Sequence, residues 1–114
     1  MPSAFFIVRA IITDPDKRAA FDRWYETEHL PDAVKAFGIA KAWRFWSLDD
    51  PSLHQAMYQF DDEAKLNAML QGDALQRLVA DFNRDWPDVK RSRETLVLAQ
   101  EFATRSCGPD EAQA

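Results

Sequence analysis

The run Phe21-Asp22-Arg23-Trp24-Tyr25-Glu26-Thr27-Glu28-His29-Leu30-Pro31 gathers most of the chain's capacity for chemistry. His29 is one of two histidines, and an imidazole near neutrality can take or give a proton. Tyr25, one turn earlier, offers a phenol able to hydrogen-bond a substrate oxygen. Glu28 is placed to orient the imidazole, although adjacent helical side chains diverge by about 100°. Winding residues 17–29 into a helix puts Phe21, Trp24, Tyr25 and Glu28 on one face, with His29 at its margin. Ionisable groups beside an aromatic surface suit a pocket that binds or transforms a small molecule. The purely structural alternative makes Phe21, Trp24 and Tyr25 core and has His29 cap carbonyls opened by Pro31.

Other residues widen the field. Trp43, Tyr58 and Trp86 would suit the walls of a site for a flat apolar ligand, though such residues are more often core. His54 starts a strand beside the turn Asp49-Asp50-Pro51-Ser52 and reads as a turn-edge residue. Arg9 and Arg44 interrupt apolar strands, and a buried arginine needs a partner. The expected partner is an acidic residue across a dimer; the functional alternative is an anchor for a carboxylate or enolate. Lys90, Arg91 and Arg93 form a basic cluster bracketed by Asp85, Asp88 and Glu94, which reads as a solvated strand face. Two histidines without tight spacing, and Cys107 alone in a polar tail, do not make a zinc site. No glycine-rich phosphate loop follows a strand, and Ser47 and Ser52 lack the sharp turn of a catalytic nucleophile. No metal and no cofactor are expected from the residues.

The chain has 114 residues, the size of one domain, expected over residues 1–103 with a flexible tail at 104–114. A single cysteine and no apparent signal peptide suggest a reducing, cytoplasmic setting. No apolar run approaches the roughly 20 residues of a membrane span. A net charge of −5 argues against general nucleic-acid binding, which depends on neutralising phosphates.

The elements that must position these side chains follow from pattern. Phe5–Ile12 is β-branched and aromatic, hence a strand. Asp14 is a candidate N-cap with Pro15 at the first helical position. The helix runs to about Leu30, where Pro31 should impose a break or kink just after His29. A short helix to Phe37 follows, closed by Gly38. Ile39–Leu48 and Leu53–Phe60 read as a hairpin. A second helical stretch begins at Asp61-Asp62-Glu63, is kinked or divided near Gly72-Asp73, and stops at Pro87. Thr95–Leu98 is strand-like. The order β-α-β-β-α-β is the ferredoxin-like, α+β arrangement, with a four-stranded antiparallel sheet. Its first strand is apolar on both sides, unlike a one-sided sheet, so a homodimer pairing sheet to sheet is expected.

That order, together with Trp24-Tyr25-Glu26-Thr27-Glu28-His29-Leu30-Pro31, resembles the dimeric α/β-barrel superfamily, most closely its EthD-like branch. The topological resemblance spans about residues 4–102; the segment Asp81–Pro87 adds weaker support. It implies a barrel-forming homodimer with a pocket between sheet and helices in each subunit. Members include monooxygenases, cyclases and dehydratases, muconolactone isomerases and haem binders, so the fold alone selects no reaction. The leading expectation is a protein that binds an apolar, aromatic or polyketide-like compound. Any catalysis would be cofactor-independent isomerisation, dehydration or cyclisation, with His29 as acid/base. A non-catalytic binding or accessory protein, and a haem protein using His29, stand as alternatives.

Overall fold

Strand β1 (Ala4–Ile11) pairs antiparallel with both β3 (Leu53–Phe60) and β4 (Lys90–Val97), and β2 (Ala42–Trp46) adds to the far side of β3. The sheet order is β2-β3-β1-β4, the ferredoxin-like arrangement expected from the element order. The computed structural model describes residues 1–104; Cys107 and nearly all of the expected tail lie outside them.

Register decides which side chains meet the helices. Ala4, Phe6 and Ala10 of β1 belong to the buried core, and Val8 packs against it. Residues paired directly across strands share a face. Phe6 pairs with Tyr58 and Ala10 with His54, and Trp46 pairs in turn with His54. On the other side Ala10 pairs with Arg91 and Val8 with Arg93. The two arginines therefore project toward the helices, which corrects the expectation of a merely solvated strand face. The opposite face carries Phe5, Ile7, Trp43, Phe45, Met57 and Leu96. Of these, Phe45 and Leu96 remain 45% and 41% exposed.

The helical layer starts as foreseen. The Asp14 carboxylate accepts from the Asp16 amide, and Pro15 opens a single 3₁₀ turn, Pro15–Lys17. Helix α1 (Arg18–Trp24) follows, then a π-helical turn, Tyr25–His29, then α2 (Leu30–Phe37). Gly38 closes α2 at φ 66° and ψ 37°, a left-handed conformation that costs a residue with a Cβ about 1–2 kcal/mol. The second helical stretch is divided at Gly72 into α3 (Glu63–Leu70) and α4 (Asp73–Asp85). Asp62 caps α3 by accepting from the Lys65 amide, an interaction of about 1 kcal/mol.

The expected break after His29 does not occur. Leu30 keeps α geometry (φ −65°, ψ −48°), and its amide donates to the carbonyl of Tyr25, five residues back. A proline inside a regular helix clashes with the carbonyl four residues earlier. The wider π turn relieves that conflict without ending the helix.

Candidate functional site

The π turn sets the phase of the site. Buried positions from Phe21 onward are Tyr25, His29 and Ala33, a strict spacing of four. Under regular winding each step of four overshoots a turn by about 40°, so four such residues would drift around the helix. The wider turn takes up this drift and keeps His29 beneath Tyr25. The face predicted from regular winding is corrected here: Glu28 is exposed, and His29 occupies the inward position.

Tyr25 and His29 line a cavity of about 330 Å³ between α2, α4 and the sheet, with Phe6, Tyr58, Phe82 and Arg91 among its walls. That volume is at the lower end of the usual range for small-molecule sites. His29 is 8% exposed. Its ring stacks on Trp24 with centroids 4.5 Å apart and meets Tyr25 edge-on at 4.9 Å. Among the described residues neither of its ring nitrogens has a hydrogen-bond partner. Burial, the largest influence, lowers the imidazole to about 4 despite nearby Asp32 and Asp81, so it is neutral at pH 7. The Tyr25 and Tyr58 hydroxyls are 3.2 Å apart. Burial raises Tyr25 to about 12 and Tyr58 well above its ordinary value, so both phenols keep their protons. One hydroxyl donates to the other, and the acceptor's own proton remains free to donate.

Next to this opening the layer is filled. Phe21 is fully buried and its ring contacts Trp46, His54 and Trp86 at 6.2, 5.3 and 5.1 Å. His54 is 0% exposed, which overturns its reading as a turn-edge residue: strand register turns it inward even though it begins near the loop. Arg44 donates to His54 Nε2 at 3.2 Å and to the Asp22 carboxylate at 3.0 and 2.9 Å. The Trp46 indole also donates to Asp22, at 2.8 Å, and is the main cause of its lowered carboxyl pKa, followed by burial acting against it and then Arg44. Burial, reinforced by Arg44, lowers His54 to about 4. Because Nε2 accepts, Nδ1 must carry the proton, and that atom is buried without a partner.

The structure unites Tyr25, His29 and Tyr58 of the predicted site and separates the rest. Trp24 backs His29 rather than lining the cavity, and its indole donates to Asp85 at 3.1 Å. Trp86 packs behind Phe21. Trp43 pairs with Met57 on the opposite sheet face, near Phe5, so it cannot wall this cavity. Arg9 and Arg44 both find acidic partners within the chain, Glu94 at 2.9 Å and Asp22 at 2.9 Å, instead of requiring one across a dimer. Sequence reasoning missed Phe6, Phe82 and Arg91 as wall residues. The period-two pairing of Arg91 and Arg93 was the available signal, but it pointed inward only once the register with β1 was known.

Among the described residues no group of three metal-ligating side chains comes together, and no helix is long and apolar enough to cross a membrane.

An antiparallel ferredoxin-like sheet covered on one face by helices, with an aromatic cavity between the layers, defines the class. No family model and no curated protein sequence matches the chain, but solved structures do. A dimeric ferredoxin-like protein from an uncultured marine organism aligns with TM-score 0.67 and 11% identity, covering 92% of this chain and 95% of that one. An EthD family protein from Bacillus halodurans aligns with TM-score 0.58 and 17% identity over 79% and 96% of the two chains. SnoaB, a cofactor-independent oxygenase from Streptomyces nogalater, gives TM-score 0.63 and 10% identity over 90% and 98%. The chain therefore shares its fold with dimeric ferredoxin-like proteins and with an EthD family protein, and at these identities the likeness is one of fold.

Proposed function

We propose that this protein binds an apolar, planar small molecule in the cavity beside His29 and moves a proton on it without a cofactor. The observation that carries the reading is the neutral, buried, unpartnered imidazole opening on the same space as the Tyr25–Tyr58 hydroxyl pair. A C–H next to a carbonyl would give its proton to His29 while its electron pair passes to the carbonyl oxygen. The free phenolic proton would then hydrogen-bond the enolate oxygen so formed. An imidazolium made in a site where the free group titrates near 4 gives its proton back readily. Return to a different atom is isomerisation or sets up dehydration or cyclisation. The known cofactor-independent chemistry of SnoaB on this fold is compatible with a site that needs no added group.

A direct test is hydrogen–deuterium exchange at the carbon beside the carbonyl of 2-tetralone, followed by NMR in D₂O. The protein should accelerate exchange over buffer, and His29→Ala should abolish the acceleration. Saturable binding with no acceleration in the native protein would assign the cavity to binding alone.

The same proposal includes a homodimer joined through the apolar outer face of the sheet. The exposed Phe45 and Leu96 and the adjoining Phe5, Trp43 and Met57 support it. Arg9, on that face, is already compensated by Gln55 at 3.0 Å and Glu94 at 2.9 Å, so covering it would strand no unpaired charge. Sedimentation at micromolar concentration should report twice the chain mass, with at least roughly 1,200 Å² of total surface buried; a stable monomer would refute the pairing.

A further inference from the structure

We propose that Arg91 and Arg93 make this cavity selective for an aromatic compound bearing a carboxylate, with Arg91 receiving the anion. The inference rests on the reading of the cavity as a small-molecule site and adds the chemical class of its occupant.

The chain carries 19 acidic residues and a net charge of −5, so paired arginines are easily made. Both arginines of α4, the helix that walls the cavity, are paired, whereas Arg18 and Arg23 of α1, outside the cavity wall, have no carboxylate partner among the described residues. Arg77 meets Asp32 at 3.6 Å, and Arg84 meets Asp81 at 3.4 Å and Asp85 at 3.0 Å. These are the carboxylates nearest His29 in electrostatic reach, and each is already paired, Asp32 with Arg77 and both Asp81 and Asp85 with Arg84. Arg91 and Arg93, both in the cavity wall, have no carboxylate partner among the described residues. Glu94, their neighbour in β4, points to the opposite sheet face and is held by Arg9.

Their placement also suits recognition. Arg91 lies over the Phe82 ring with its guanidinium carbon 4.1 Å from the centroid, and donates to the neutral Asn83 amide oxygen. One edge of the fork is thereby oriented while its charge stays uncompensated. A guanidinium held flat in this way can engage a carboxylate through two parallel N–H groups. Arg93, two residues on and on the same strand face, sits over Phe6 at 6.0 Å. Strand geometry separates the two positions by about 7 Å, so the positive field extends along the cavity mouth. Beneath it the walls are aromatic. A cationic rim over an aromatic floor, with a neutral imidazole beyond, fits a flat ring system whose acid group stays at the mouth.

The test compares 2-naphthoate with 2-naphthamide, which share ring and shape but differ in charge, by calorimetric titration at pH 7 and moderate salt. The native protein should bind the naphthoate at least tenfold more tightly, and the His29 and Tyr25 NMR signals should shift with it. In Arg91→Gln with Arg93→Gln the naphthoate should weaken to the level of the amide, while the amide changes less than twofold. Arg91→Lys, which keeps the charge and loses the fork, should retain only part of the preference and guards against a folding defect in the double variant. Equal affinity for the two probes in the native protein would overturn the carboxylate assignment while leaving the cavity a small-molecule site. Preference that survives the double variant would also overturn it. Failure of both probes to bind, or binding that leaves His29 unshifted, would overturn it together with the reading beneath it.

Discussion

The two histidines, His29 on the π turn and His54 on β3 beneath it, occupy adjoining regions and are both lowered in basicity, yet their surroundings differ in what they permit. His54 sits in a filled region, where Arg44 donates to one nitrogen and Phe21 and Trp46 close over the ring. His29 sits at the edge of open space, gripped by Trp24 and Tyr25 through its faces and edges. Burial, reinforced at His54 by Arg44, keeps both imidazoles neutral at pH 7. Low basicity is therefore no sign of reactivity here. Access to a cavity, with a hydroxyl pair across from it, is what distinguishes the two.

The largest effect expected to separate the regions is kinetic. His29→Ala should lower the exchange rate on 2-tetralone by roughly 10²–10⁴-fold, the usual range for a general acid/base, whereas His54→Ala should lower it by less than about tenfold. A comparable loss from His54→Ala, measured on protein shown by its melt to be folded, would erase the distinction.

Next comes acid stability, where the two should act alike. An unfolded histidine titrates near 6.5 and each folded one near 4. Between these values the unfolded chain binds more protons, so stability falls as pH falls. The contribution is complete above about pH 6.5 and gone below about pH 4, roughly 3 kcal/mol for each histidine at 1.36 kcal/mol per pH unit. Urea unfolding across this window should show the slope, and His29→Gln should reduce it by about half. An unchanged slope would mean that His29 is not buried in solution.

At neutral pH, His54→Ala should cost about 2–4 kcal/mol of stability, because it opens a hole beside Phe21 and removes a buried partner of Arg44. Denaturant midpoints at constant m-value would measure this. A loss below about 0.5 kcal/mol would imply that the filled region is looser than its contacts indicate. The smallest effect belongs to Tyr25→Phe, which removes one side of the Tyr25–Tyr58 hydrogen bond. A cost of about 0.5–1.5 kcal/mol in the affinity for 2-tetralone is expected, with the fold intact. A loss as large as that of His29→Ala would promote the phenol from positioning the substrate to the chemistry itself.

Much of the fold was legible because it depends on local signals. The β-branched and aromatic run Phe5–Ile12, the alternation along Leu53–Phe60, the Asp14-Pro15 start, the Gly38 stop and the division at Gly72 each have a mechanism confined to a few residues. Tyr25, His29 and Tyr58 were legible as chemistry by residue type. What escaped the sequence was rotational or long-range. Regular winding put Glu28 inward because nothing local announces a π turn, except in hindsight Pro31 within an otherwise unbroken helical pattern. His54, Trp43, Arg91 and Arg93 were misjudged because the face a strand residue takes depends on register with its neighbours, β3 and β4 with β1 and β2 with β3, and the pairings of β1 reach across more than 40 positions to β3 and nearly 80 or more to β4.

A single-residue deletion in the gene would act on the π turn, which amounts to one surplus residue in a helix whose two halves are otherwise regular. Loss of a single codon there, Thr27 for example, would rewind the segment and carry His29 about 100° around the axis. It would also return the Pro31 ring to collision with the carbonyl four places before it. The aim of the imidazole and the tolerance of the proline thus rest on the same surplus residue, and one deletion would forfeit both.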